Sequence, residues 1–232
     1  QISMKGRLAL DAKRQPEAFD LALRLADPNA RIVLPVSGAQ TSIRSGQLSL
    51  RYDRARDDAW RLNGTLQDFE TPELRINALR LSGSGRIRST VSRAVGGTLN
   101  LTAQGLTPRD PALGDALGTA IAAQTIFSWR ESEPLRFSKI SLTGKDIQVD
   151  GRLSVANLSD GIDISGTLNA QFDRLSNLAP LLGQPLTGSA AAALSAQANL
   201  LSGSFDFDAD IRGQDLGAGI SALDPLLEGA AL

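Results

Sequence analysis

Apolar and polar residues alternate along most of this chain with a period of two. Phe19, Leu21, Leu23 and Leu25 fall on one side of an extended segment, and Asp20, Ala22 and Arg24 on the other. Leu48, Leu50 and Tyr52 repeat the pattern, followed by Trp60, Leu62 and Leu66, and by Leu99 with Leu101. Ile121, Ala123, Thr125, Phe127 and Trp129 continue it, and Phe205, Phe207, Ala209 and Ile211 alternate with Asp206, Asp208 and Asp210. Side chains on a strand point alternately to its two faces, so each run predicts a strand with one apolar and one wet side. Strands of this kind recur at short intervals between clusters of Gly, Ser, Asn, Asp and Pro, which is the rhythm of an all-β chain.

Three segments break the alternation. Asp110–Gly118, Leu175–Gly183 and Ser221–Gly229 each carry a proline, leucines at helical spacing and a terminal glycine. That punctuation predicts short amphipathic helices, too short to stand alone and therefore expected to lay their leucines on the sheet. Leu186–Leu200 is alanine-rich, which favours helix by propensity. Its even positions nevertheless alternate strictly with Ser, Ala and Gln, and we read it as a strand with a shallow apolar face.

A pentad of apolar, any, apolar, Ser or Thr, Gly recurs at Leu34–Gly38, Leu79–Gly83, Ile140–Gly144 and Ile162–Gly166, with a partial copy at Leu201–Gly203. It predicts a strand ending in a turn where glycine takes a positive φ. Leu178-Ala179-Pro180-Leu181-Leu182 also returns later as Leu223-Asp224-Pro225-Leu226-Leu227. Together these make a loose repeat, of the sort that stacks hairpin on hairpin into an elongated sheet. The whole of 1–232 reads as one continuous β-repeat region, an internal segment of a longer chain.

Composition narrows the chemistry. The 232 residues contain no His and no Cys, which removes the usual zinc ligands, thiol nucleophiles, His-based triads and disulfides. Paired acids, Asp57 with Asp58 and Glu131 with Glu133, are the remaining hydrolase candidates, and adjacent loop carboxylates are poor ones. We expect no enzyme and no cofactor. Asp206, Asp208 and Asp210 share a strand face, but without the loop spacing of a calcium site they read as a solvated acidic face. Only ten residues are aromatic, too few for the girdles of a membrane barrel. The stretch Leu175–Phe205 lacks charge, yet its Ser, Asn, Gln and the prolines Pro180 and Pro185 rule out a spanning helix. The net charge of -1 conceals 16 basic against 10 acidic residues in 1–100, and 8 against 15 in 101–232. Arg51, Arg54, Arg56 and Arg61 cluster, but Asp53, Asp57 and Asp58 are interleaved with them, so no nucleic-acid partner is expected.

The stretches D-P-A-L-G-D-A-L-G, I-S-L-T-G-K-D-I-Q-V-D-G-R-L-S-V and F-D-R-L-S-N-L-A-P-L-L-G-Q-P-L-T-G-S-A-A resemble the translocation and assembly module B family (TamB-like), within the AsmA-like group of bacterial envelope proteins. The resemblance is clearest over 97–232. It implies a mainly β fold: an elongated, curved, taco-like sheet of degenerate hairpin repeats with an apolar groove. It further implies a periplasmic chain anchored in the inner membrane by an N-terminal helix outside this segment. The partners implied are phospholipid acyl chains and an outer-membrane barrel of the Omp85-like type, contacted by another part of the full chain. The functions implied are phospholipid transport and assembly of outer-membrane proteins and autotransporters.

Alternation itself leaves two outcomes open, because a groove and a sandwich use the same pattern. A sandwich would cover the apolar face with a second sheet, as in a structural or adhesive envelope domain, whereas a groove presents it to a ligand. Candidate groove-lining residues are Leu99, Leu101, Phe127, Trp129, Ile147, Val149, Leu153, Val155, Ile162, Ile164 and Leu168.

Overall fold

The computed structural model describes residues 2–27, 30–34, 40–88, 93–110, 114–115, 117–157, 161–179 and 185–217. Alternation becomes fourteen strands: β1 (Ile2–Leu10), β2 (Pro16–Ala26), β3 (Ile32–Val33), β4 (Ser42–Ile43), β5 (Ser45–Asp53), β6 (Ala59–Glu70), β7 (Leu74–Arg88), β8 (Ala94–Pro108), β9 (Ala120–Arg130), β10 (Leu135–Thr143), β11 (Ile147–Ala156), β12 (Asp163–Phe172), β13 (Thr187–Asn199) and β14 (Ser204–Gly217). They form one antiparallel sheet in the order β1-β2-β5-β6-β7-β8-β9-β10-β11-β12-β13-β14, with the β3–β4 hairpin beside β6. The fold is mainly β, an elongated meander of hairpins that stays open. Among the described residues β1 and β14 are the free edges of the ladder, which is not closed into a barrel.

Extensive packing between elements follows the ladder, apart from a single-turn 3-10 helix at Leu175–Asn177 against β13. No second sheet covers the first among the described residues, which excludes a sandwich there. Burial is nonetheless one-sided. On β6, Trp60 is buried and Leu62, Gly64 and Leu66 are half-buried, while Arg61, Asn63 and Thr65 on the other face are exposed. Shielding of one face without a covering layer follows from curvature, and the sheet curls toward its apolar side in a taco-like trough. The accessible surface is 15204 Å², against roughly 10,000 Å² for a globular monomer of this mass.

The connections differ at the two rims. One rim carries only short links, among them residues 11–15, 54–58, 131–134 and 200–203. The other receives the long links 27–41, 109–119 and 173–186. On that side Leu117, in a helical turn with Gly114 and Asp115, packs against the cluster of Ile76, Ala103 and Leu106. Leu175 is buried as well, and Ile43 of β4 is fully enclosed over Gly46. Among the described residues of the breaker segments, Leu117 and Leu175 therefore lie on the sheet. Over Leu175–Gly183 the described helical structure is the 3-10 turn and Ala179, and no side chain caps the turn. Ser221–Gly229 lies outside the described residues, as do parts of the first breaker, the pentad Leu34–Gly38 and the repeated Leu178–Leu182 and Leu223–Leu227.

The alanine-rich segment is strand β13, as its alternation predicts. The pentads correct an expectation. Gly203 does sit in a turn at φ +68, but Gly83 and Gly166 lie in mid-strand, and Gly144 has no positive φ. Gly83 and Gly166 serve close approach instead. A Cβ at Gly83 would come within 2.6 Å of Leu99, and one at Gly166 within 2.6 Å of the Arg152 carbonyl oxygen.

Candidate functional site: an uncharged trough

Cross-strand register turns the alternation into rows that run across the whole sheet. From Trp60 one row passes through Tyr52 and Phe19 to Leu8 on the β1 edge. In the other direction it continues through Gly85, Gly97, Phe127, Phe137 and Leu153. It ends with Gly166, Ala196 and Phe207 on the β14 edge. The next row holds Leu21, Leu50, Leu62, Gly83, Leu99 and Thr125, then Ile140, Gly151, Leu168, Leu194 and Ala209. Four successive rows of this kind contain no charged side chain; in the row nearest the short-turn rim Glu17 of β2 is charged. The small breaks in pairing at Phe137–Ile140 do not disturb them, because the pleat resumes in phase.

Of the eleven residues singled out from the sequence, ten lie on this face. Trp129, Val155 and Ile164 occupy the row nearest the short-turn rim; Phe127 and Leu153 share the Trp60 row. Leu99 and Leu168 follow, then Leu101 with Val149, and Ile147 toward the opposite rim. Ile162 falls outside the strands, in the β11–β12 loop at φ 39. All are half-buried except Leu168, which is 40% exposed. The list omits Tyr52, Trp60 and Leu62, whose alternation is just as plain, because it leaned on the stretch after residue 97. It also omits Ala192, Ala196 and Gly166, where the signal is small size rather than hydrophobicity.

Glycine and tryptophan fit each other at the centre. The Trp60 ring lies over β7 and β8, where Gly83, Gly85 and Gly97 have no side chains. A Cβ at Gly85 would stand 2.7 Å from its Nε1, and one at Gly97 2.5 Å from its Cζ2. Trp60 Nε1 donates to the Gly96 carbonyl oxygen at 3.2 Å, and the ring reaches Phe127 on β9 with centroids 6.1 Å apart. Phe19 stacks on Tyr52 at 5.3 Å. This part of the trough is filled by its own side chains.

Toward β14 the filling stops. The inner face of β13 offers Ala190, Ala192, Ala196 and Ala198 around Leu194. Phe205, Phe207 and Ile211 on β14 are 75%, 59% and 57% exposed.

Polar contacts fasten the rims. Arg54 Nη1 donates to Asp11 Oδ2 at 2.8 Å, tying the β5–β6 turn to the β1–β2 turn across β2, and Asp11 also accepts from the backbone N–H groups of Lys13 and Gln15. The Arg54 guanidinium, with those N–H groups, holds the Asp11 carboxyl below its ordinary value. Burial pushes the Tyr52 phenol up; its hydroxyl donates to Asp58 Oδ1 at 3.1 Å. At the far rim Asp146, almost buried, accepts two bonds from Arg174 at 3.0 and 2.8 Å and one from Asn177.

The carboxylates considered for hydrolysis are engaged elsewhere. Asp57 pairs with Arg86, Glu131 with Arg93, Glu133 with Arg130, and Asp58 accepts from Tyr52. Arg51, Arg54 and Arg56 pair with Asp20, Asp11 and Asp53. No group of three or more acidic side chains is placed to hold a metal among the described residues, where no helix is long and apolar enough to cross a membrane.

No protein-family model, curated protein or solved structure matches this chain. The architecture itself defines the class: an elongated, open, antiparallel groove domain, consistent with the taco-like fold of envelope proteins.

Proposed function

We propose that the trough carries phospholipid acyl chains and that the chain is a non-enzymatic segment of a bridge between bacterial membranes. The observation behind this reading is the inner face, free of charge along four rows over twelve strands, with small side chains on β13 and exposed apolar ones on β14. Water on such a face is displaced at a gain of about 0.8 kcal/mol for each methylene buried. A sliding chain needs no polar partner along its path, and the trough offers almost none. The sequence resemblance to the TamB-like and AsmA-like proteins supports the same reading. On it, the chain works in the periplasm, held by an inner-membrane anchor, and another part of the protein meets an outer-membrane barrel partner during protein assembly.

Organic extraction of the purified protein, followed by mass spectrometry, tests this. Co-purifying phospholipid is expected, at a level that falls when β13 is altered as described below. Lipid-free protein that also fails to bind added short-chain lipid would overturn the proposal.

A further inference from the structure

The outer face carries a depression walled by cations. It opens at the short-turn rim where β7, β8, β9 and β10 end, with a volume of about 450 Å³. Arg86, Arg88, Arg130 and Arg136 form its walls, while Ala94, Gly96 and Ser128 lie between them. Register produces this arrangement. Arg88 faces Ala94, which faces Arg130; Arg86 faces Gly96, then Ser128, then Arg136. With strands about 4.8 Å apart, the two pairs stand about 10 and 14 Å apart at the backbone. The strand positions between them carry small side chains, which leaves the depression open between the arginines.

Two of the four cations are matched. Arg86 lies 3.7 Å from Asp57, and Arg130 lies 2.7 Å from Glu133. Arg88 and Arg136 have no acidic partner among the described residues, which leaves a surplus of two positive charges. Planar guanidinium forks suit phosphate oxygens better than a point charge does. Val95 and Trp129 also line the depression, and their row is the inner-face row nearest this rim. A phosphate held here sits one sheet thickness from the end of the apolar trough.

We propose that this depression binds a phosphate ester, clamped by Arg88 and Arg136, with a phospholipid headgroup as its source. The lipid source rests on the trough reading above; the anion site does not. Binding is measured by calorimetry and tryptophan fluorescence with dihexanoylphosphatidylglycerol, dihexanoylphosphatidylcholine and inorganic phosphate as probes. Wild-type protein is expected to prefer the glycerol lipid at least tenfold over the choline lipid. Arg88→Gln with Arg136→Gln abolishes that preference, whereas Arg24→Gln with Arg80→Gln, an equal charge loss elsewhere on the outer face, changes it less than twofold. Arg136→Lys keeps the charge, loses the fork and weakens the preference about threefold, a milder change should the double variant fold poorly. Wild type that binds both lipids without preference, or equal loss in both double variants, overturns the site. Displacement of the lipid by equimolar inorganic phosphate overturns the lipid source. If neither lipid binds while inorganic phosphate still separates the two double variants, the trough reading fails and the anion site stands.

Discussion

Two stretches of the same sheet treat one apolar face differently. Between β5 and β9 large side chains lie across small ones: Trp60 covers three glycines, touches Phe127 and is 6% exposed. Between β11 and β14 small residues, Gly166, Ala192 and Ala196, stand among Leu168 and Leu194, and the aromatic residues of β14 stand in solvent. Both halves alternate equally well, so hydrophobic period does not distinguish a core from a trough. Side-chain volume does. The β5–β9 stretch buries much of its apolar face against itself, whereas the β14 edge, like the β1 edge with Met4 at 77% and Leu8 at 61% exposure, leaves its apolar side chains in solvent.

That contrast is broken or sharpened most directly by truncation. Trp60→Ala removes the filler and is expected to cost about 3–5 kcal/mol in urea denaturation. Phe207→Ala, in the same row, is expected to stay within about 0.5 kcal/mol. A large loss at Phe207 would mean that the second half is packed like the first. Asp146→Ala removes three hydrogen bonds at the long-link rim and should cost about 2 kcal/mol, read from the same experiment.

Filling the second half is the complementary change. Ala196→Phe on β13 points a ring into the trough between Gly166 and Phe207. It is expected to weaken binding of a short-chain phospholipid at least tenfold, which is about 1.4 kcal/mol, with little change in stability. Unchanged lipid binding would show that the chains lie elsewhere.

The smallest effect concerns pH and belongs to the first half. The Asp11 carboxyl is lowered from 3.8 by Arg54 and two backbone N–H groups, so the folded state favours its ionised form. Its contribution is present above the unfolded value and is lost as pH falls through the lowered folded one. Melting temperature followed from neutral pH to about 2 should therefore fall less steeply in Asp11→Asn than in wild type. Parallel curves would remove Asp11 from the acid response.

Much of the fold was legible beforehand, for a physical reason. Successive side chains on a strand must face opposite ways, so alternation places Phe127 and Trp129, or Leu153 and Val155, on one side whatever their neighbours are. Even the alanine run of β13 follows its period over its helical propensity, because the ladder on both sides satisfies its backbone groups. Gly83 and Gly166 depart from the turns expected of them because local sequence shows only that glycine is permitted. That Gly83 is needed under Trp60 and beside Leu99 depends on contacts more than fifteen residues away.

The sequence alone therefore determined that the chain is β, that one face is apolar, and which residues belong to that face. Tertiary structure decided which residues from different strands became row partners. It thereby decided that the face would stay uncovered, that glycines would meet a tryptophan near the centre while alanines would line the face toward β14, and that four separated arginines would share a rim. Side-chain direction is a property of each strand, whereas row membership is a property of the register between strands. No single stretch of chain contains it.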